Sequence, residues 1–225
     1  MQLDKRYVGL WCGIFAVLGA LILVVGTMDP RRTQWFLSES GPVESLSAAG
    51  YFLCLLAFGV LNREKAWPAK GWYVFVILLI FGLRELDFHS RFTTMGIFKS
   101  RFFISAEVPV LEKIIGAAVL LTLVGAIAVL VRHHFRSFVR GVRTLAPAAT
   151  SLLLAIFLLF FTKGIDGLPR KLADLGVSSP EALEHLFTSI EEVLEMGIPI
   201  LMLLAIWAHY SERRRPAMTT KETAS

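Results

Sequence analysis

Cysteine is scarce in this chain, and charge is scarce inside its apolar runs. Cys12 and Cys54 are the two cysteines, and both fall within apolar stretches, so no disulfide framework is expected and they read as small packing residues. No internal repeat marks an inverted-repeat transporter. The first apolar run ends in Met28-Asp29-Pro30-Arg31, which is not a small-residue cleavage site, so it reads as a retained span and not as a signal peptide. No complete catalytic motif is present, and 225 residues spent largely on apolar runs leave no room for a separate soluble domain.

What is abundant is apolar surface. Hydrophobic residues make up 55% of the chain, and they recur in runs long enough to cross a hydrocarbon core of roughly 30 Å. The expectation is an all-α, polytopic membrane bundle of about six transmembrane helices. It forms one domain over residues 1–215, followed by a disordered cytoplasmic tail over 216–225. The spans are expected at Val8–Met28, Pro42–Leu61, Gly71–His89, Lys113–Val131, Leu145–Thr162 and Glu191–Tyr210. With the N-terminus inside, the inner segments carry 13 of the 23 basic residues and only Asp4, Glu64, Glu212 and Glu222 among the 18 acids. The positive-inside rule then favours an N-in, C-in protein, taken to lie in the cell (inner) membrane with both termini cytoplasmic. Anionic headgroups account for the net charge of +5, so nucleic acid need not be invoked. His133 and His134 read as part of the solvated inner surface.

That layout leaves the acids outside. Glu39, Glu44, Glu85, Asp87, His89, Glu191, Glu192 and Glu195 gather at the outer ends of the second, third and sixth spans, where charge needs a cavity, a metal or a partner. Glu44 falls in the first turn opened by Gly41-Pro42, where a carboxylate suits the helix dipole. Glu85 and His89 are four apart and share a face on a continuous helix. Asp87 lies on another face and would meet Arg84 or Arg91. On the last helix, which starts at the Ser178-Ser-Pro-Glu181 capping pattern, Glu191 and Glu195 are i and i+4, and Glu195 is the deepest acid. Glu181 and Glu184 read as solvated. The plain alternative for Glu191 and Glu192 is a salt bridge to Arg84 or Lys113; it explains Glu195 less well, because that charge lies below the interface. Between the third and fourth spans, Phe92 to Ser105 interleaves phenylalanines with Lys99 and Arg101 and reads as an interfacial segment. With Arg91, these bases are candidate lipid-headgroup contacts.

Gly41-Pro-Val-Glu44-Ser-Leu-Ser47 and Gly82-Leu-Arg-Glu85-Leu-Asp-Phe88-His89 resemble two span-end motifs of the superfamily of alkaline ceramidases and progestin-receptor-type membrane hydrolases. The resemblance covers about a quarter of the chain. It implies a metal site in which His89 and the residue four before it face the ion, completed at the start of the last span. There Glu191 and Glu195 stand where that family has two histidines, Glu85 replaces a serine, and one hairpin of spans is missing. The implied cofactor is a divalent metal ion on Glu85, His89 and Glu195: zinc, or a harder ion such as manganese, iron, magnesium or calcium.

Three functions are compatible with this pattern. The first is a metal-dependent hydrolase or related lipid-modifying enzyme, with Glu44, Glu191 and Glu192 as catalytic carboxylates, a lipid as substrate and membrane lipids as partners. The second is a non-catalytic subunit with a membrane-protein partner. The third is a proton or divalent-cation transporter, for which polar residues deep in the spans are few.

Overall fold

The computed structural model describes residues 4–38, 41–62, 71–99, 101–168, 172, 176 and 181–222. The side chains of His89, Glu181 and residues 213–222 lie outside what it describes, as does Glu39. Within the described residues the chain is helical, without strands: α1 Lys5–Gly26, α2 Pro30–Phe36, α3 Pro42–Leu61, α4 Trp72–Glu85, α5 Phe88–Arg91, α6 Arg101–Ile104, α7 Val110–Arg143, α8 Pro147–Ile165 and α9 Glu181–Glu222. Four of these, α1, α3, α7 and α8, are long and apolar enough to cross a membrane, which makes this a multi-pass integral membrane protein.

Local chemistry sets the helix ends. The Asp4 carboxylate accepts from the Arg6 N–H and caps α1, and Asp29 does the same for Arg31 ahead of Pro30, starting the short α2 that the hydropathy pattern does not announce. Pro42 and Pro147 occupy the first turns of α3 and α8, where a missing N–H costs nothing. α3 has the bounds expected of the second span. α7 runs to Arg143, beyond the expected Val131, because His133 to Arg143 is polar but helix-forming. The backbone of α9 stays helical to Glu222, past the point where the tail was expected to begin.

The largest departure is at the end of α4. A continuous helix through His89 was expected to put Glu85 and His89 on one face. Instead α4 stops at Glu85, Asp87 takes a left-handed backbone with φ of 50°, and the chain resumes as the single turn α5. An aspartate tolerates that conformation better than most residues, and it breaks the helical repeat. Glu85 and His89 therefore belong to separate elements.

α9 packs along α8, α3 and α1, and contacts of α3 with α4, α4 with α7 and α7 with α8 close a ring. The main core joins Trp11, Tyr51, Cys54, Phe58, Leu78, Leu158, Ile198 and Leu201. Trp11 Nε1 donates to Ser151 Oγ at 2.9 Å, tying α1 to α8. Lipid tails are as apolar as the core, so close packing holds such helices together more than hydrophobic burial does. At Gly197 α9 lies close against α1 and α8: a Cβ there would lie 2.7 Å from Leu18 Cδ1 and 3.1 Å from Leu158 Cδ1. The connection between α4 and α7 docks on α7 through Ile97, Phe102 and Val108, while Phe92, Phe98, Phe103 and Ile104 stay exposed. At the other end Tyr73 engages both histidines expected to be merely solvated: its Oη is 2.7 Å from His134 Nε2, and its ring stacks on His133.

Gly197→Leu is expected to lower stability by about 1–3 kcal/mol, the usual cost of overpacking. Thermal unfolding in detergent, followed by tryptophan fluorescence, measures it.

Candidate functional site

Four helices bring the site together. α3 contributes Glu44, Ser47 and Tyr51, which are three and four residues apart and so step inward along one face. α4 contributes Arg84 and Glu85 at its last turn. α8 ends with Lys163. α9 presents Glu191, Glu192 and Glu195, and Pro199 one turn later has no N–H to offer the Glu195 carbonyl.

Glu195 is the hub. One of its oxygens, Oε1, lies 3.0 Å from Lys163 Nζ, and the other, Oε2, lies 3.6 Å from Arg84 Nη2, with the glutamate side chain only 12% exposed. Arg84 Nη1 also donates to Glu85 Oε1 at 3.3 Å, where the carboxylate is 7% exposed. Lys163 sits 3.8 Å from Glu191 Oε1 and 3.4 Å from Asp166 Oδ2. A salt bridge for Glu191 was therefore a sound alternative, but its partner is Lys163 and not Arg84 or Lys113. The depth of Glu195, which had weighed against pairing, is met by two cations at once. Arg84, expected to answer Asp87, is turned to Glu85 and Glu195.

Glu192 stands apart. Its electrostatic neighbours are Glu195, Glu191, Glu85 and Glu44, all acidic, and it has no hydrogen bond or ion pair among the described residues. Burial beside these acids makes an unpaired negative charge on Glu192 costly. Below the carboxylates, Ser47 is 2% exposed and its Oγ has no hydrogen-bond partner of ordinary geometry, although it faces Glu85. Tyr51, 1% exposed, lies within reach of the Glu85, Arg84 and Glu195 charges and stacks on Phe81.

Of the expected site residues, the structure gathers Glu44, Glu85, Glu191, Glu192 and Glu195. His89 follows on α5, its imidazole outside the described side chains. Arg91, Lys99 and Arg101 are exposed on the segment after α4. Among the described residues no three His, Cys, Asp or Glu converge closely enough to hold a metal ion. Lys163 and Tyr51 were not anticipated. The polar stripe Glu44-Ser47-Tyr51 on an apolar helix was the available signal for the tyrosine; a lone lysine closing an apolar run reads as an interface anchor.

No protein-family model matches the chain, and no curated protein or solved structure matches it either.

Removing Arg84 strands the buried Glu85 carboxylate and takes one of two cations from Glu195, whereas Lys163 is 42% exposed and shares Glu195 with Arg84. Arg84→Ala is expected to cost about 3 kcal/mol, and Lys163→Ala about 1 kcal/mol or less because water screens it. The ranking of their melting temperatures in detergent checks this.

Proposed function

We propose that the chain is a membrane-embedded hydrolase or related lipid-modifying enzyme, working at the outer face of a six-span, N-in, C-in bundle in the cell membrane. α4 and α9 are then the third and sixth spans, beside the four helices that satisfy length and hydropathy by themselves. The observation that carries the reading is the uncompensated, half-buried Glu192 amid four other glutamates, at the bundle end from which the phenylalanine- and base-bearing segment emerges. A carboxylate in that setting is suited to take up and return a proton.

Glu192 serves as the proton-transfer group, with Glu44 and Glu191 beside it. Arg84 and Lys163 hold Glu85 and Glu195 in place. Arg91, Lys99 and Arg101 meet lipid phosphates while the exposed phenylalanines enter the acyl boundary. The resemblance to the alkaline ceramidase and progestin-receptor-type hydrolases points to the same class of substrate. A divalent ion on Glu85, His89 and Glu195 belongs to this proposal and would supply an acidified water. It would have to draw Glu85 and Glu195 away from Arg84 and Lys163, so the proton chemistry assigned to Glu192 is kept independent of it.

A second reading, a non-catalytic subunit with a membrane-protein partner, is favoured by one observation: Arg84 and Lys163 already answer three of the acids within the chain. A transport path has less support, because Tyr51, Leu78, Leu158 and Leu201 fill the bundle directly inward of the charges.

Incubation of purified protein with a total lipid extract separates the readings. New lipid species are expected, reduced roughly 10²-fold or more in Glu192→Gln, the scale of a lost acid–base group; no product in the parent protein, or equal product in the variant, overturns the enzyme. For topology, a reporter fused at the C-terminus is expected to register the cytoplasm, and a cysteine introduced at Glu107 is expected to react with an impermeant reagent added outside intact cells.

A further inference from the structure

The end of the bundle away from the carboxylates carries a ladder of one sign of charge. Arg132, Arg136, Arg140 and Arg143 stand at i, i+4, i+8 and i+11 on α7, and at about 100° per residue they fall within a sector of about 80°. All four are exposed, and no carboxylate among the described residues pairs with any of them.

The rotation of α7 is fixed from its other side. His134, about 200° around the helix from Arg132, is held 2.7 Å from Tyr73 Oη on α4. Gly141, about 180° away, packs on α8, where a Cβ would come within 2.7 Å of Ala149 Cβ. The arginine face is therefore turned away from the bundle.

The same contact sets its depth. α8 is 19 residues long, roughly 28 Å against a hydrocarbon core of about 30 Å, so its first turn lies at the membrane surface. Gly141 is held against that turn, which keeps Arg140 and Arg143 at headgroup height. Arg132 and Arg136 lie up to about 13 Å back along the axis toward the lipid tails. An unpaired guanidinium is costly there, and its long side chain reaches out to the phosphates. Val131 and Phe135, 49% and 57% exposed, flank the arginines with apolar surface. A basic face edged by apolar side chains is the pattern of a helix seated in a lipid interface.

We propose that this face binds the phosphates of anionic phospholipids in the leaflet at that end, the guanidinium groups donating paired N–H bonds to phosphate oxygens. The occupant is a lipid and not a soluble polyanion, because the face lies along the membrane surface with apolar side chains beside it. The site is at the opposite end from Glu192 and does not depend on the enzyme reading.

Purified protein in a neutral maltoside detergent is incubated with phosphatidylglycerol or phosphatidylcholine of the same acyl chains, and bound lipid is counted by native mass spectrometry. Half-occupancy with phosphatidylglycerol is expected at a concentration at least tenfold lower than with phosphatidylcholine, a preference that shrinks as salt is raised. Replacing all four arginines by glutamine is expected to abolish the preference. The double variants Arg132→Gln/Arg136→Gln and Arg140→Gln/Arg143→Gln are each expected to lose part of it, and Lys5→Gln/Arg6→Gln, at the same end on α1, to keep it. The four arginines are exposed and unpaired within the protein, so the variants should fold, which their melting temperatures check. No preference in the parent protein, or a preference retained in the fourfold variant, overturns the proposal. Displacement of phosphatidylglycerol by glycerol phosphate or polyglutamate at equal anion concentration assigns the face to a soluble anion and overturns it too.

Discussion

One end of this bundle depends on how one carboxylate is neutralised. Glu195 is shared by a guanidinium from α4 and an ammonium from α8, so three helices meet at a single charged point. In a membrane, apolar surface does not sort helices by itself; a charge that must find its partners does. The core of Tyr51, Leu78, Leu158 and Leu201 lies immediately inward, which limits how far α9 can slide without parting Glu195 from its cations. A buried ion network of this kind adds less to stability than to register, because its desolvation offsets much of the attraction.

Register in turn explains the excess of acid. Two cations suffice for Glu85, Glu191 and Glu195 at the distances observed, and their side chains are spent there. Glu192 lies one residue from Glu191 on α9, about 100° around the helix, among acids and not between the cations. The uncompensated charge is thus a product of helix geometry: α9 cannot turn Glu191 and Glu195 toward Lys163 and also turn Glu192 toward it.

Much of this was legible from residue order. Long apolar helices show as apolar runs whatever their packing, and the expected helix order put Glu44, Glu85 and Glu195 at one end of the bundle, where they are gathered. Pro42 marked the start of α3 because proline suits a first turn. The partners were harder to read. Lys163 borders an apolar run like any interfacial lysine, and only the packing of α8 on α9 gives it Glu191 and Glu195. Tyr51 has the spacing of a core residue and is one, while also lying under the charges. The end of α4 was hidden for another reason: hydrophobic periodicity says nothing about a backbone that turns left-handed at one aspartate.

That turn at Asp87 separates two kinds of residue. Up to Glu85 the chain is held by its neighbours and by the charge network. From Phe88 to Ile104 it is a surface strap, anchored on α7 by Ile97, Phe102 and Val108. Because no continuous helix connects the two, substitutions in the strap need not be transmitted to Glu85. The strap can diverge in sequence while the carboxylates behind it keep their positions.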